Sequence, residues 1–228
     1  MFDGKFRGPV DKAVKPVGAA LRKTGLTPDH LTILGLLVGV GAAVAIGAGQ
    51  LRLGLVLVIL AALPDLLDGA LAKASDSASQ RGAFFDSTVD RITDALLHGG
   101  IAWYFASEES PHMAWLPYAV MAVSSLISYQ RAKAESLGID AKGGLMERAE
   151  RIIAICLGLL IPVLLIPILW VMLVLTSITA IQRFVKVWKQ AAVAPVTAAK
   201  IEMRRSRRQS RRVARTERRR TRVPRRPT

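Results

Sequence analysis

Four aspartates bound the chemistry open to this chain: Asp65 and Asp68 stand three residues apart and Asp86 and Asp90 four apart, in stretches otherwise apolar enough to lie in a membrane. Either spacing places both carboxylates of a pair on one face of a helix. Two helix ends brought together would converge four carboxylates, which repel one another unless a cation sits between them. The donors are all oxygen, with no Cys or His beside them, and so suit a hard cation such as Mg2+ or Mn2+ better than zinc. Gly69 follows the first pair and Gly82 precedes the second, each leaving room for a ligand to approach the backbone. The bland alternative is that the acids only tie helices together through Lys73, Arg81 or Arg91. An aspartate within a membrane costs at least about 2.5 kcal/mol on the insertion scale, which makes a functional reading the stronger one.

A second set of charges is basic. Arg131, Lys133, Arg148, Arg151 and Arg183 fall at the ends of later apolar runs, on the same side as the aspartates if the runs alternate in direction. A neutral alcohol would not need them, whereas a substrate carrying a phosphate would, because charge-assisted bonds to phosphate are strong and arginine makes them in pairs. Their plain alternative is membrane topology alone.

The elements that must hold these groups follow from the apolar runs. The chain has 228 residues, 51% of them hydrophobic, which points to a polytopic membrane protein and away from a soluble core. The expected fold is an all-α integral membrane protein: six transmembrane helices plus an N-terminal amphipathic surface helix. Residues 1–30 form a cytoplasmic leader, with Val10, Val14, Val17 and Leu21 at helical spacing for that surface helix. Residues 31–188 hold the six spans, and residues 189–228 form an Arg-rich tail expected to be disordered. Thr27 is placed as the cap of the first span, with Pro28 at its first position. Pro64 is expected to kink the second span just before Asp65, and the third carries Asp86, Asp90 and Asp94. The fourth runs from Met113 to about Tyr129, the fifth from Glu147 to about Ile166, and Pro167 marks the return into the sixth.

Lys and Arg crowd the N-terminus, the second and fourth connections and the tail, so both termini and the carboxylates are expected at the cytoplasmic face. The formal charge of +15 rests mostly on the tail from Lys200 to Pro227. That tail lacks the interleaved aromatics of a single-strand binder; adhesion to anionic lipid is expected and nucleic acid is not. Cys156 stands alone in an apolar run and excludes a disulfide framework or a metal knuckle. His98, one turn beyond Asp94, reads as a packing residue.

The order Asp65-x2-Asp68-Gly69-x2-Ala72-Lys73, then Gly82-x3-Asp86-x3-Asp90, resembles the signature of the CDP-alcohol phosphotransferases, D-x2-D-G-x2-A-R and G-x3-D-x3-D. Lys73 is the departure, keeping a charge but losing the arginine fork. The resemblance implies two Mg2+ ions, with Mn2+ as the alternative, held by Asp65, Asp68, Asp86 and Asp90, and Asp90 as the base. It implies CDP-diacylglycerol as donor, with CMP leaving, and assigns Asp29, His30, Leu31, Thr32, Gly69, Lys73 and Ser79 to its binding. It further implies a homodimer in the cell membrane.

Within that family, Asp86-Ser-Thr-Val-Asp90-Arg91-Ile-Thr-Asp94, Ser128-Tyr-Gln-Arg131-Ala-Lys133, Glu147-Arg148-Ala-Glu150-Arg151 and Gln182-Arg183 are similar to actinobacterial members that make phosphatidylinositol phosphate. The acceptor implied is 1D-myo-inositol 3-phosphate, which is also named L-myo-inositol 1-phosphate, with its phosphate met by Arg131, Lys133, Arg148, Arg151 and Arg183. Glycerol 3-phosphate is the alternative acceptor. A divalent-cation pathway and a non-catalytic lipid-surface anchor are the readings outside the enzyme class.

Overall fold

A computed structural model of the chain describes residues 27–75, 79–107, 110–141, 143–192 and 203, with the side chains of 64–75 outside that description. The expected surface helix of the leader, almost all of the basic tail and part of the second connection lie outside the described residues. Among those described, all regular structure is helical, with no strand. The α-helices are α1 (Pro28–Gly47), α2 (Leu51–Ser75), α3 (Gln80–Ser107), α4 (Trp115–Ser136), α5 (Arg148–Leu160) and α6 (Leu165–Ala191), with short 3-10 turns at Pro111–Met113 and Pro162–Leu164.

The helix ends follow local chemistry. Thr27 caps α1 in a closed capping box: its hydroxyl accepts from the His30 amide, and the His30 ring accepts from the Thr27 amide, each at 3.3 Å. Ser79 caps α3, its hydroxyl accepting from the Gly82 amide at 3.0 Å. α1 and α4 end alike, with Gly49 (φ 77) and Gly138 (φ 70) in the left-handed region. In each case the following amide, Gln50 or Ile139, bonds back to the carbonyl of Ala45 or Ala134 at 2.9 Å, the Schellman arrangement.

Packing fixes the directions. Gly39 of α1 faces Thr93 of α3, Gly47 faces Trp103, and the Gly100 backbone rests on Ala43, so α1 and α3 run the same way at close approach. Gly54 against Ile46 and Leu57 against Gly41 set α2 antiparallel to α1. Trp115 and Trp170 meet edge to face at 5.4 Å near the starts of α4 and α6. Near the other ends, Arg183 Nη1 donates to the Ile127 carbonyl at 2.9 Å, so those two helices are also parallel. Between them lies a core of fully buried Leu116, Val120, Ile155, Leu159, Leu165, Leu169 and Met172.

Two expectations change. The return between the fifth and sixth helices falls at Pro162, where α5 ends after Leu160, and not at Pro167. Pro167 sits in the first turn of α6, where its missing N–H leaves no bond unmade, so it does not break the helix. The fourth helix continues past Tyr129 to Ser136: Arg131 and Glu135 pair across one turn at 3.0 Å, and Gly138 sets the end. α2 is assigned as helix through Pro64.

Two stretches among the described residues, Pro28–Gly47 and Pro162–Ala191, are long and apolar enough to cross a bilayer; α2 contributes the shorter apolar Leu51–Leu63. α3 and α4 are long enough but carry the charges of the site. The chain divides after Phe184, and of the second unit only residues 185–192 and 203 are described, the former mostly the last turns of α6.

Candidate functional site

With α1 and α3 parallel and α2 antiparallel to them, the N-terminal ends of α1 and α3 share a side with the C-terminal end of α2, which carries Asp65, Asp68, Gly69 and Lys73. The positions assigned to the donor gather there. A Cβ on Gly82 would sit 3.2 Å from the Ser79 hydroxyl and 3.9 Å from a carboxylate oxygen of Asp29. Asp29, Ser79 and Gly82, drawn from two helix N-termini, are thus neighbours. Both helices present the positive end of their dipole on the same side, which favours an anion. His30 and Thr32 are used locally, the first in the capping box and the second donating to the Pro28 carbonyl at 3.1 Å. Leu31 is buried against the bundle.

α3 carries Asp86, Asp90 and Asp94 on successive turns of one face. Asp90 Oδ1 accepts from Arg148 Nη1 at 2.6 Å, and Arg91 Nη2 lies 3.6 Å from its other oxygen. Asp94 meets three guanidinium groups: Arg148 Nε at 3.5 Å, Arg151 Nη2 at 3.5 Å and Arg91 Nη2 at 3.6 Å. Arg91 also donates to the Ser128 hydroxyl, which ties the cluster to α4. Arg151 is only 4% exposed, with Asp94 beside its guanidinium. A small cleft opens beside it, lined by Asp94, Arg148 and Thr93 with Gly39, Ala42 and Ile152.

The remaining basic residues separate. Arg183 is buried and donates to the carbonyls of Ile127 and Gly143 at 2.9 and 3.0 Å, with Glu147 at 3.9 Å. It pins the loop between α4 and α5. Thr179 helps, accepting from the Met146 amide at 3.2 Å while its methyl packs where a side chain on Gly144 would stand. The loop so held delivers Glu147 and then Arg148 to the start of α5. Arg131 is exposed and paired with Glu135, and Lys133 is exposed in the last turn of α4. The structure therefore gathers Arg148 and Arg151 at the aspartates, uses Arg183 as a staple, and leaves Arg131 and Lys133 on the surface.

Asp86 and Asp90 are partly exposed carboxylates one turn apart. Among the described residues no three His, Cys, Asp or Glu side chains form a metal-holding group. The two acids of α3 are half of the expected donor set, and the backbone of α2 brings the other two to the same side. Oxygen donors only, with Cys156 elsewhere in α5, fit a hard divalent cation. Of the candidate partners the sequence offers the acids, Arg91 is the one seen paired, with Asp90 and Asp94; Ser128, Thr179 and Asp94 carry no role in the sequence reading, and the four-residue step from Asp86 to Asp90 to Asp94 is the available signal for the last.

Residues 25–190 match the family described as CDP-alcohol phosphatidyltransferase. The chain is 34% identical over 182 residues to the phosphatidylinositol phosphate synthase of Mycolicibacterium smegmatis, across 75% of this chain and 82% of that one. It is 34% identical over 213 residues to the enzyme of the same name from Streptomyces avermitilis, across 87% of each. The crystal structure of Mycobacterium tuberculosis phosphatidylinositol phosphate synthase with CDP-DAG bound is similar at TM-score 0.73 and 33% identity, over 78% of this chain and 94% of that one. The same enzyme in complex with manganese and citrate gives 0.72, over 77% and 88%.

Proposed function

Because the chain belongs to the CDP-alcohol phosphatidyltransferase family, we propose that it moves the phosphatidyl group of CDP-diacylglycerol onto 1D-myo-inositol 3-phosphate, releasing CMP. The observation that carries this reading is the contact between Asp90 and Arg148, with Arg151 one turn on: a carboxylate fit to take a proton lies beside guanidinium groups fit to hold a phosphate. The relatives named above are phosphatidylinositol phosphate synthases, and one was solved with the donor bound.

In this mechanism the acceptor's phosphate rests on Arg148 and Arg151, which turns one of its ring hydroxyls toward Asp90. The hydroxyl oxygen attacks the phosphorus bearing diacylglycerol, its proton passes to Asp90, and the bond from that phosphorus to the CMP oxygen breaks. Asp29, Ser79, Gly69 and Lys73, with the amides of the α1 and α3 N-termini, hold the CDP. His30, Leu31 and Thr32 shape that helix start. Arg131, Lys133 and Arg183 complete the basic rim and the loop beneath it. Asp65, Asp68, Asp86 and Asp90 would hold a divalent cation, two Mg2+ in our reading, which neutralises the pyrophosphate when bound.

The protein acts as a multi-pass membrane enzyme with six spans, both termini and the site at the cytoplasmic face of the cell membrane, and it pairs as a homodimer. Large apolar side chains point outward on several helices, among them Leu37, Val56, Ile59, Val171 and Ile181. The cation-pathway and lipid-anchor alternatives give way to the family's group-transfer chemistry.

The test is CMP release by purified protein with CDP-diacylglycerol and Mg2+, comparing 1D-myo-inositol 3-phosphate, free inositol and glycerol 3-phosphate. Turnover with the inositol phosphate alone is expected. Turnover with glycerol 3-phosphate instead would reassign the acceptor, and silence with all three would overturn the reading.

A further inference from the structure

We propose that Asp94 is a positioning residue that aims Arg148 and Arg151 at the acceptor's phosphate, an inference that deepens the transferase reading and rests on it. Asp94 lies one turn beyond Asp90 on the same face of α3 and is 13% exposed. Its carboxylate meets the guanidinium groups of Arg91, Arg148 and Arg151 together. Arg148 and Arg151 are three residues apart on α5, so as like charges they repel and left alone would splay. One oxygen of Asp94 faces Arg148 and the other faces Arg151, which holds both groups on the same side.

The geometry points to alignment and not plain neutralisation: Asp94 lies beside Nε of Arg148, while Nη1 of the same group reaches Asp90. Arg91, bonded to Ser128 of α4, supplies the fixed point against which Asp94 is set.

The test has opposite signs for the two roles. Removing a negative charge beside a phosphate site strengthens anion binding if charge alone matters, and weakens it if alignment matters. Asp94→Asn and Asp94→Glu in the full chain are to be compared with the parent protein, using inorganic phosphate as the probe in metal-free titration calorimetry. Steady-state kinetics then follow with the inositol phosphate, and thermal unfolding is measured alongside.

Alignment predicts roughly tenfold weaker phosphate binding in Asp94→Asn, and an acceptor KM that rises by more than kcat falls. It predicts a smaller loss in Asp94→Glu, where the charge is kept and its position shifts, so that variant decides the matter even where Asp94→Asn fails to fold. Unchanged or tighter phosphate binding overturns the proposal. So does a parallel loss of Mn2+ affinity, which would make Asp94 a metal ligand. If the parent protein turns over no phosphorylated acceptor, the transferase reading fails, while the phosphate titration still decides what Asp94 does.

Discussion

Arg148 Nη1 stands 2.6 Å from Asp90 Oδ1, which joins the group assigned to the acceptor's phosphate to the group assigned to its proton. Asp90 comes from α3 and Arg148 from the start of α5, so this bond also fixes where the loop between α4 and α5 delivers its helix. Truncating Arg148 removes a charge-assisted donor from the reacting centre. Arg148→Ala is expected to lower CMP release with the inositol phosphate about 100-fold. Arg148→Lys should recover only part of it, because an ammonium cannot span Asp90 and Asp94 as the planar fork does. Near-normal rates in Arg148→Ala would mean that the arginine serves topology alone.

The two acids of α3 should separate by role. Asp90→Asn keeps the shape and loses the proton acceptor, so kcat is expected to fall by about 10³ while CDP-diacylglycerol still binds. Asp86→Asn should act on the cation, with activity partly recovered at raised Mn2+ concentration. Chelation should stop the parent enzyme and readdition of Mg2+ or Mn2+ restart it. Full activity after exhaustive chelation would remove the metal from the mechanism.

Much of this arrangement was legible in the chain, for reasons that differ from residue to residue. The Asp86 to Asp90 step and the Thr27-Pro28 start are set by short-range rules, helix period and capping, that a sequence displays directly. Asp29 and Ser79 share a donor role only through the resemblance, and it takes the parallel packing of α1 on α3 to make them neighbours, with Gly82 between. Arg183 was out of reach: an arginine near a helix end looks alike whether it waits for a phosphate or bonds two carbonyls, and the carbonyls of Ile127 and Gly143 have no signature in sequence. The choice of Pro162 over Pro167 for the break also lies beyond local pattern, since either proline can open a helix.

The α1 cap gives a stability prediction free of the chemistry. Thr27→Ala removes the acceptor of the His30 amide and opens the capping box. A loss of about 1 kcal/mol is expected. It should appear as a lower midpoint in thermal unfolding of the detergent-solubilised protein. An unchanged midpoint would show that neighbouring helices hold the α1 start without the cap.

Adjacent glycines on α3 test the close packing of the helices that carry the donor positions. A Cβ at Gly100 would lie 2.9 Å from the Cα of Ala43 and against its carbonyl, all backbone of α1 that cannot swing aside, whereas a Cβ at Gly99 meets nothing within 4 Å. Gly100→Ala must push α3 off α1, at a cost of about 1 to 3 kcal/mol. Because Ser79 and Gly82 ride on α3 and Asp29 on α1, the same shift should raise the KM for CDP-diacylglycerol. Gly99→Ala, one residue away on the open side of the helix, should be neutral or slightly stabilising through helix propensity. Equal effects from the two substitutions would mean that α1 and α3 do not meet through this face.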